Sequence, residues 1–101
     1  MNERQILALL KTGQVLFRYP LKVYFQPGAG DFGVSVPKRN FKRAVWRNLL
    51  KRRMREAYRL NRARLGERSY DMFIYYVGKQ AEDYGRIEKS LVEILDDLAA
   101  R

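Results

Sequence analysis

The sequence predicts an α+β fold in one domain, with helices packed on a small, mostly antiparallel sheet. The chain has 101 residues, which is enough for one modest core. Its hydrophobic content of 47% and aromatic content of 13% indicate a folded chain despite a formal net charge of +10. Apolar residues follow helical spacing in some segments and form strand-like runs in others. We therefore expect residues 1–101 to form a single domain.

The first third of the chain predicts one helix followed by two strands. Gly13 is a C-terminal cap for the helix. Residues 16–26, LFRYPLKVYFQ, are rich in aromatic side chains and predict a strand, and residues 32–36, FGVSV, predict another. The intervening PGAGD predicts a turn, so we expect the two strands to pair as a hairpin. The apolar residues of the helix are Ile6, Leu7, Leu9 and Leu10.

The remainder predicts a long basic helix, an apolar strand and a last helix. Pro37 ends the preceding strand, and Asn40 is the expected N-cap of a helix that runs to about Arg62 or Leu65, before Gly66. Residues 69–78 are apolar on both alternating sets, which predicts a central strand. Asp83 should cap the last helix. Its apolar side carries Ile87, Leu91, Ile94, Leu95 and Leu98. The expected order is α-β-β-(β)-α-β-α, in which the bracketed strand is optional.

The charge of the chain is concentrated in one segment. From Lys38 to Arg64 there are twelve Lys or Arg residues against one acid, Glu56, whereas the other 74 residues hold nine basic and ten acidic residues. Charge that serves only solubility is normally dispersed and mixed in sign. The segment therefore indicates a surface that binds a polyanion.

On a helix, the basic residues of this segment fall mainly on one side. An Arg-rich side suits phosphate, because the planar guanidinium matches two phosphate oxygens. Arg53 lies near the apolar arc and is expected to extend to its edge. The basic side carries Arg47, Asn48, Lys51, Arg52, Arg55, Arg59 and Arg62, and the opposite side, which we expect to be core, carries Trp46, Leu49, Leu50, Met54, Ala57 and Leu60.

Three other interpretations of the basic helix remain open. A solvated helix face usually alternates Glu with Lys, whereas this one has only Glu56 to relieve the repulsion. A membrane-surface helix or a calmodulin target needs a free apolar side, which a chain this small needs for its core.

Aromatic side chains beside the helix would suit RNA, whose unstacked bases pack on aromatic rings. Those of the predicted hairpin are Tyr19, Tyr24, Phe25 and Phe32, most of which we expect in the core.

The residues of common active sites are absent from the sequence. There is no His for acid–base chemistry and no Cys for nucleophilic or metal chemistry. Glu93, Asp96 and Asp97 could hold magnesium, but three acids on the outer side of a helix are more simply a solvated face. We expect no catalytic residue and no metal site. No apolar run reaches membrane-spanning length and no secretory signal is visible, so we expect a soluble, cytoplasmic protein.

The stretch FGVSVPKRNFKRAVWRNLLKRRMREAYR, residues 32–59, resembles the protein subunit of bacterial ribonuclease P. The resemblance includes a first helix ending in KTG, a strand with LKVYF, the Ser-Val-x-Lys-(Lys/Arg) strand end, and a C-terminal helix with KSL. The helix pattern Ala-Val-x-Arg-Asn-x-x-Lys-Arg-x-x-Arg is specific. The resemblance implies a single RNA-binding domain without an active site of its own. Such a protein binds a catalytic RNA and the 5′ leader of precursor tRNA, and the RNA cleaves with magnesium ions. No DNA or membrane partner is expected.

The resemblance also assigns site residues. It carries over Arg47, Asn48, Lys51, Arg52 and Arg55 to the basic helix and Lys38 and Arg39 to the strand end by the leader groove, which takes Ile6, Leu10, Tyr24 and Ser35. The charge pattern adds Lys42, Arg59 and Arg62, so the RNA-binding set is Lys38, Arg39, Lys42, Arg47, Asn48, Lys51, Arg52, Arg55, Arg59 and Arg62. Ile6 and Leu10 stand where the family has aromatic side chains, and Leu49 replaces the second Arg of its Arg-Asn-Arg signature. The family often has a short segment before the first helix, whereas this sequence starts almost at it. Its fold implies an unusual left-handed crossover through the basic helix.

Two other functions are compatible with a basic, RNA-binding domain of this kind. A general RNA-binding or ribosome-associated protein would share the basic side but would not prefer precursor tRNA over mature tRNA. A protein-only nuclease would cleave RNA without an RNA partner, which the missing catalytic residues disfavour.

Overall fold

The computed structural model describes all 101 residues, which form three α-helices and a four-stranded sheet. This α+β architecture and element order agree with the fold expected from the sequence, with the optional strand present. The elements are α1 (Glu3–Thr12), β1 (Gln14–Arg18), β2 (Leu21–Pro27), β3 (Phe32–Ser35), α2 (Ala44–Asn61), a 3₁₀ turn (Arg62–Leu65), β4 (Tyr70–Tyr76) and α3 (Tyr84–Ala99).

The strands lie in the order β1-β2-β4-β3, and this order corrects two predictions. The predicted strand 16–26 is two antiparallel strands, β1 and β2, which are separated at Pro20, a residue that has no N–H for a ladder. The predicted hairpin does not form, because β4 lies between β2 and β3. As expected, β4 is a central strand. It is antiparallel to β2 and parallel to β3, so that α2 joins the parallel pair β3 and β4 as a βαβ unit.

The two faces of the sheet have different coverings. The back face packs against α2 and α3 and forms a core of 19 buried residues. On the opposite, front face, α1 crosses β2 and β4 and buries Leu9. The front face is therefore only partly covered.

The end of α1 and the start of α3 have the expected caps. The Gly13 N–H donates to the Leu9 carbonyl, and the Asp83 carboxylate accepts from the Arg86 N–H at 2.8 Å.

Helix α2 differs from its prediction at the start and in its buried side. It begins at Ala44 after the N-cap Arg43, so the prediction of Asn40 as N-cap is wrong. Residues 37–41 instead form a turn, in which the Pro37 carbonyl accepts from the Asn40 and Phe41 N–H groups, and Phe41 is buried. The helix ends in the 3₁₀ turn before Gly66, as expected.

The buried side of α2 is narrower than the sequence indicates. Trp46 and Leu60 were expected in the core, but they are 46% and 62% exposed. Leu49 is half-buried, and Tyr58, which was not predicted as core, is buried. The reason is that α2 contacts the rest of the chain mainly through α3 and β3, which cover only one stripe of the helix. This stripe consists of Leu50, Met54, Ala57 and Tyr58.

Candidate nucleic-acid interface

The front face of the sheet carries two rows of side chains set by strand register. Partners in neighbouring strands share a face of the sheet, so each row crosses it from β1 to β3. One row consists of Val15, Tyr24, Phe73 and Gly33, and the other of Phe17, Lys22, Tyr75 and Ser35. Aromatic rings are adjacent in the first row and alternate with Lys22 and Ser35 in the second, on the face that α1 leaves partly open.

A groove of about 530 Å³ lies between α1 and this face, and we call it the front groove. All four residues that the resemblance assigned to a leader groove line it, and so does Arg39 from the RNA-binding set. Four further residues were not predicted from the sequence. Phe73, Tyr75 and Val77 belong to residues 69–78, whose apolar composition on both faces predicted burial, and Lys22 reaches the groove only through the pairing of β2 with β4. The lining is Ile6, Leu10, Lys22, Tyr24, Ser35, Arg39, Phe73, Tyr75 and Val77.

The charged groups of the front groove are cations. Lys22 places its Nζ atom 5.2 Å from the centroid of the Tyr24 ring, and Arg39 is exposed at the β3 side of the groove. No carboxylate belongs to the lining. Phe73 is only 7% exposed and forms the floor, whereas Tyr24 and Tyr75 are half-buried and keep part of their rings accessible. The groove therefore combines accessible rings with positive charge, as single-stranded nucleic acid requires.

The second basic surface is the outer side of α2. We call it the basic face and define it by Asn48, Lys51, Arg52, Arg55, Arg59 and Arg62. All are exposed except the half-buried Lys51. Only Arg59 has a carboxylate within 4.0 Å, that of Glu56 at 3.7 Å, so Lys51, Arg52 and Arg55 have no ion-pair partner. These charges are available to an external anion.

The basic face lies next to the β3 edge of the sheet. Tyr58, at the border of this face, packs on Phe32 of β3 with ring centroids 4.3 Å apart, and Arg62 lies over the Tyr58 ring at 5.4 Å. The loop 36–43 then connects β3 to α2 and carries Arg39 in the groove, with Lys38 and Lys42 exposed. The predicted RNA-binding residues thus form a path from the front groove to α2.

Two arginines of α2 are held by the protein itself. Arg47 was predicted to bind RNA, but it is half-buried, and its Nη1 atom donates to the carbonyls of Phe41 at 2.7 Å and Lys42 at 2.8 Å. Arg53 donates from Nη1 to the Glu82 carbonyl at 2.6 Å, consistent with its expected place at the edge of the apolar arc. Arg47 therefore fixes the start of α2, a role that spacing alone did not reveal.

The groups whose pKa values are shifted lie behind the sheet. Burial raises the pKa of Tyr58 and Tyr76, and burial together with a hydrogen bond to Glu88 raises that of Tyr84 to about 12. The Asn61 amide, followed by the Tyr84 hydroxyl, lowers the pKa of Glu88. The hydrogen bond from Asn61 to Glu88 joins α2 to α3, and the bond from Tyr84 to Glu88 lies within α3. Both have a structural role.

Two acidic residues of α3, Asp96 and Asp97, form ion pairs. Asp96 lies 3.4 Å from Arg64, and Asp97 lies 3.5 Å from Arg18 and 3.2 Å from Arg101. The structure brings no three His, Cys, Asp or Glu side chains into an arrangement that could hold a metal ion.

No helix has both the length and the apolar composition needed to cross a membrane.

Comparison with known proteins places the chain in a family. The model of the Ribonuclease P family matches residues 1–99. The chain is 32% identical over 107 residues to the ribonuclease P protein component of Porphyromonas gingivalis, covering 94% of this chain and 78% of that protein. Two solved structures share its fold. The ribonuclease P protein of Thermotoga maritima has a TM-score of 0.81 at 24% identity, with 96% of this chain and 94% of that chain covered. That of Staphylococcus aureus has a TM-score of 0.79 at 22% identity, with 96% and 91% covered.

The family match extends over nearly the whole chain, and it includes both the front groove and the basic face. The identity to the Porphyromonas protein is high enough to support the same assignment independently. The chain belongs to the family of ribonuclease P protein components, the protein part of a ribonucleoprotein endoribonuclease that processes tRNA.

Proposed function

We propose that this chain is the noncatalytic subunit that binds the catalytic RNA of ribonuclease P and the 5′ leader of precursor tRNA, and so promotes removal of the leader. One observation carries the proposal. The front groove, with accessible aromatic rings and no carboxylate, continues through the cationic loop 36–43 to a face whose central charges have no ion-pair partner. Family membership supports an RNA partner.

The basic face is the surface that we assign to the catalytic RNA. Lys51, Arg52 and Arg55 present unpaired charges along an exposed helix, the arrangement that neutralises phosphates and releases their counterions. Asn48 adds a donor and an acceptor among them. A rigid helix held to the core by Leu50 and Met54 keeps these groups in a fixed register.

The front groove is the surface that we assign to the leader. A leader is single-stranded, so its bases are free to stack on the exposed parts of Tyr24 and Tyr75. Lys22 and Arg39 are placed to meet the phosphates between those bases, and Ser35 offers a hydroxyl at the β3 end. Ile6 and Leu10 form an aliphatic wall on α1. This wall offers a base apolar surface to contact but no ring on which to stack.

Cleavage itself is assigned to the RNA partner and its magnesium ions, in a cytoplasmic ribonucleoprotein. The contribution of this chain is electrostatic. Positive charge between two RNA molecules reduces their repulsion, which otherwise must be screened by cations. We therefore expect the protein to lower the magnesium concentration at which precursor binds.

The test compares precursor tRNA with mature tRNA. The protein is assembled with a bacterial ribonuclease P RNA, and the dissociation constant of each tRNA is measured with and without protein. The proposal expects the protein to tighten binding of the precursor and leave that of mature tRNA nearly unchanged. An equal effect on both would contradict leader binding and would favour a general RNA-binding protein.

A further inference from the structure

The front face of the sheet continues beyond the front groove onto the edge strand β1. Val15 pairs with Tyr24 and Phe17 pairs with Lys22 across the β1–β2 ladder, so both β1 side chains lie on the front face. Val15 is 45% exposed and Phe17 is 53% exposed. The other β1 side chain in this stretch, Leu16, points to the opposite face and packs against the core. The exposure of Val15 and Phe17 is therefore a property of the open face.

An aromatic ring beside a lysine on this face is a base-binding arrangement. Neighbouring strands are about 4.8 Å apart, so Phe17 is the immediate neighbour of Lys22, which lines the front groove. On its other side Lys22 neighbours Tyr75. The row thus places Lys22 between two rings, and its Nζ atom lies 5.2 Å from the centroid of a third, Tyr24 of the neighbouring row. A cation surrounded by rings suits a phosphate whose neighbouring bases are stacked.

We propose that Phe17, supported by Val15, is a stacking platform for one nucleotide of the leader, next to those held in the front groove. The inference rests on the proposed function and extends its site by one strand. Helix α1 contributes only Ile6 and Leu10 to the groove wall, so the rings of the front face all come from the sheet: Phe17, Tyr24, Phe73 and Tyr75.

Charge favours a nucleic acid over a second copy of this chain as the occupant. The net charge of +10 opposes self-association of cationic faces, whereas a polyanion is attracted to them. The surface is also continuous with the front groove through Lys22 and Tyr24, the register partners of Phe17 and Val15. A leader that leaves the groove toward β1 meets Phe17 next.

The test uses the protein assembled with a bacterial ribonuclease P RNA and precursor tRNAs with leaders of increasing length. Phe17→Ala should weaken binding of long-leader precursors by at least about fivefold, the lower range for loss of one stacked base, and leave the shortest leaders and mature tRNA unchanged. Phe17→Tyr should bind within about twofold of the wild type, because it keeps the ring. Phe17→Leu, which keeps an apolar side chain without a ring, should bind like Phe17→Ala.

A matched control is Leu7→Ala, which shortens another half-exposed apolar side chain, on the outer side of α1. It should bind all leaders like the wild type. The inference is overturned if Phe17→Ala binds long leaders normally, if Phe17→Leu binds like Phe17→Tyr, or if light scattering shows a dimer that Phe17→Ala abolishes. Failure of the wild-type protein to prefer precursor would overturn the proposed function as well, so the two failures are distinguishable.

Discussion

The guanidinium of Arg47 donates a hydrogen bond to the carbonyl of Phe41 at 2.7 Å, which fixes the loop before α2 to the first turns of that helix. Helix α2 has no side-chain N-cap, and the two bonds from Arg47 to Phe41 and Lys42 instead hold the preceding loop against the helix. An arginine of the motif that the resemblance assigned to RNA binding thus has a structural role. Its effect on folding is separable from the effect of the unpaired charges further along α2.

The first prediction concerns Arg47. Arg47→Ala should lower the free energy of unfolding by about 1–2 kcal/mol, because two carbonyl groups lose a charged donor. It should also weaken RNA binding by the protein, since the loop that carries Arg39 and Lys42 loses its support. Urea denaturation measures the first effect. An unchanged unfolding free energy would show that the two hydrogen bonds contribute nothing to stability.

The second prediction concerns the basic face. For binding to the catalytic RNA, Lys51→Ala and Arg55→Ala should each reduce the slope of log affinity against log salt concentration by about one unit. This is the change expected for one lost phosphate contact. Their unfolding free energy should change by no more than about 0.5 kcal/mol. A suitable control is Arg64→Ala, because Arg64 already pairs with Asp96 at 3.4 Å. Equal slopes in all four proteins would remove the basic face from the interface.

The third prediction concerns Tyr24 in the front groove. Tyr24→Ala should weaken precursor binding by about five- to hundredfold through loss of a stacking ring, with no effect on mature tRNA. Tyr24→Phe keeps the ring and should bind nearly as well as the wild type. The measurement is competition between the two tRNAs for the assembled holoenzyme. An equal loss for both tRNAs would mean that Tyr24 does not contact the leader.

The fourth prediction concerns pH and the contact between α2 and α3. Glu88 accepts from the Asn61 amide and the Tyr84 hydroxyl, each at 3.0 Å, and its pKa is lowered from 4.5. The ionised Glu88 carboxylate therefore stabilises the folded state above pH 4.5. This stabilisation is lost as the pH falls through the lowered pKa that Glu88 has in the folded protein. Glu88→Gln should remove that part of the acid sensitivity, which urea unfolding at a series of pH values will show.

The same contact gives an alkaline limit. The pKa of Tyr84 is raised from 10.0 to about 12, so the folded state favours the neutral phenol. Its stabilising contribution is present below pH 10 and is lost as pH rises toward 12. Tyr84→Phe should show a smaller loss of stability over that interval. An identical loss in both proteins would mean that Tyr84 does not titrate with unfolding.

Local patterns predicted most parts of the fold that depend on local chemistry, with the exception of the N-cap of α2, which is Arg43 and not Asn40. The basic helix, the central strand β4 and the Asp83 cap follow from periodicity, two-sided apolar composition and capping preference. The predictions that required distant pairing were wrong, since nothing between residues 16 and 36 indicates that β4 will separate β2 from β3. Pro20 is the local signal for the break between β1 and β2, because proline has no N–H for a strand ladder.

The candidate site shows the same division. Tyr24 and Ser35 were assigned to the groove by resemblance, and the structure brings them together. Lys22 and Tyr75 were missed because their shared row depends on the register between β2 and β4. Trp46 was expected to be buried on helical periodicity, but it is exposed because α3 and β3 cover a narrower stripe than the apolar residues of α2 occupy.

The most direct test that this chain promotes leader removal is cleavage of precursor tRNA by a bacterial ribonuclease P RNA at low magnesium concentration, with and without the protein. We expect cleavage at the mature 5′ end only when both are present. The double variant Lys51→Ala/Arg55→Ala should need a higher magnesium concentration for the same cleavage. Binding of the protein to the RNA without any stimulation of cleavage would contradict the account.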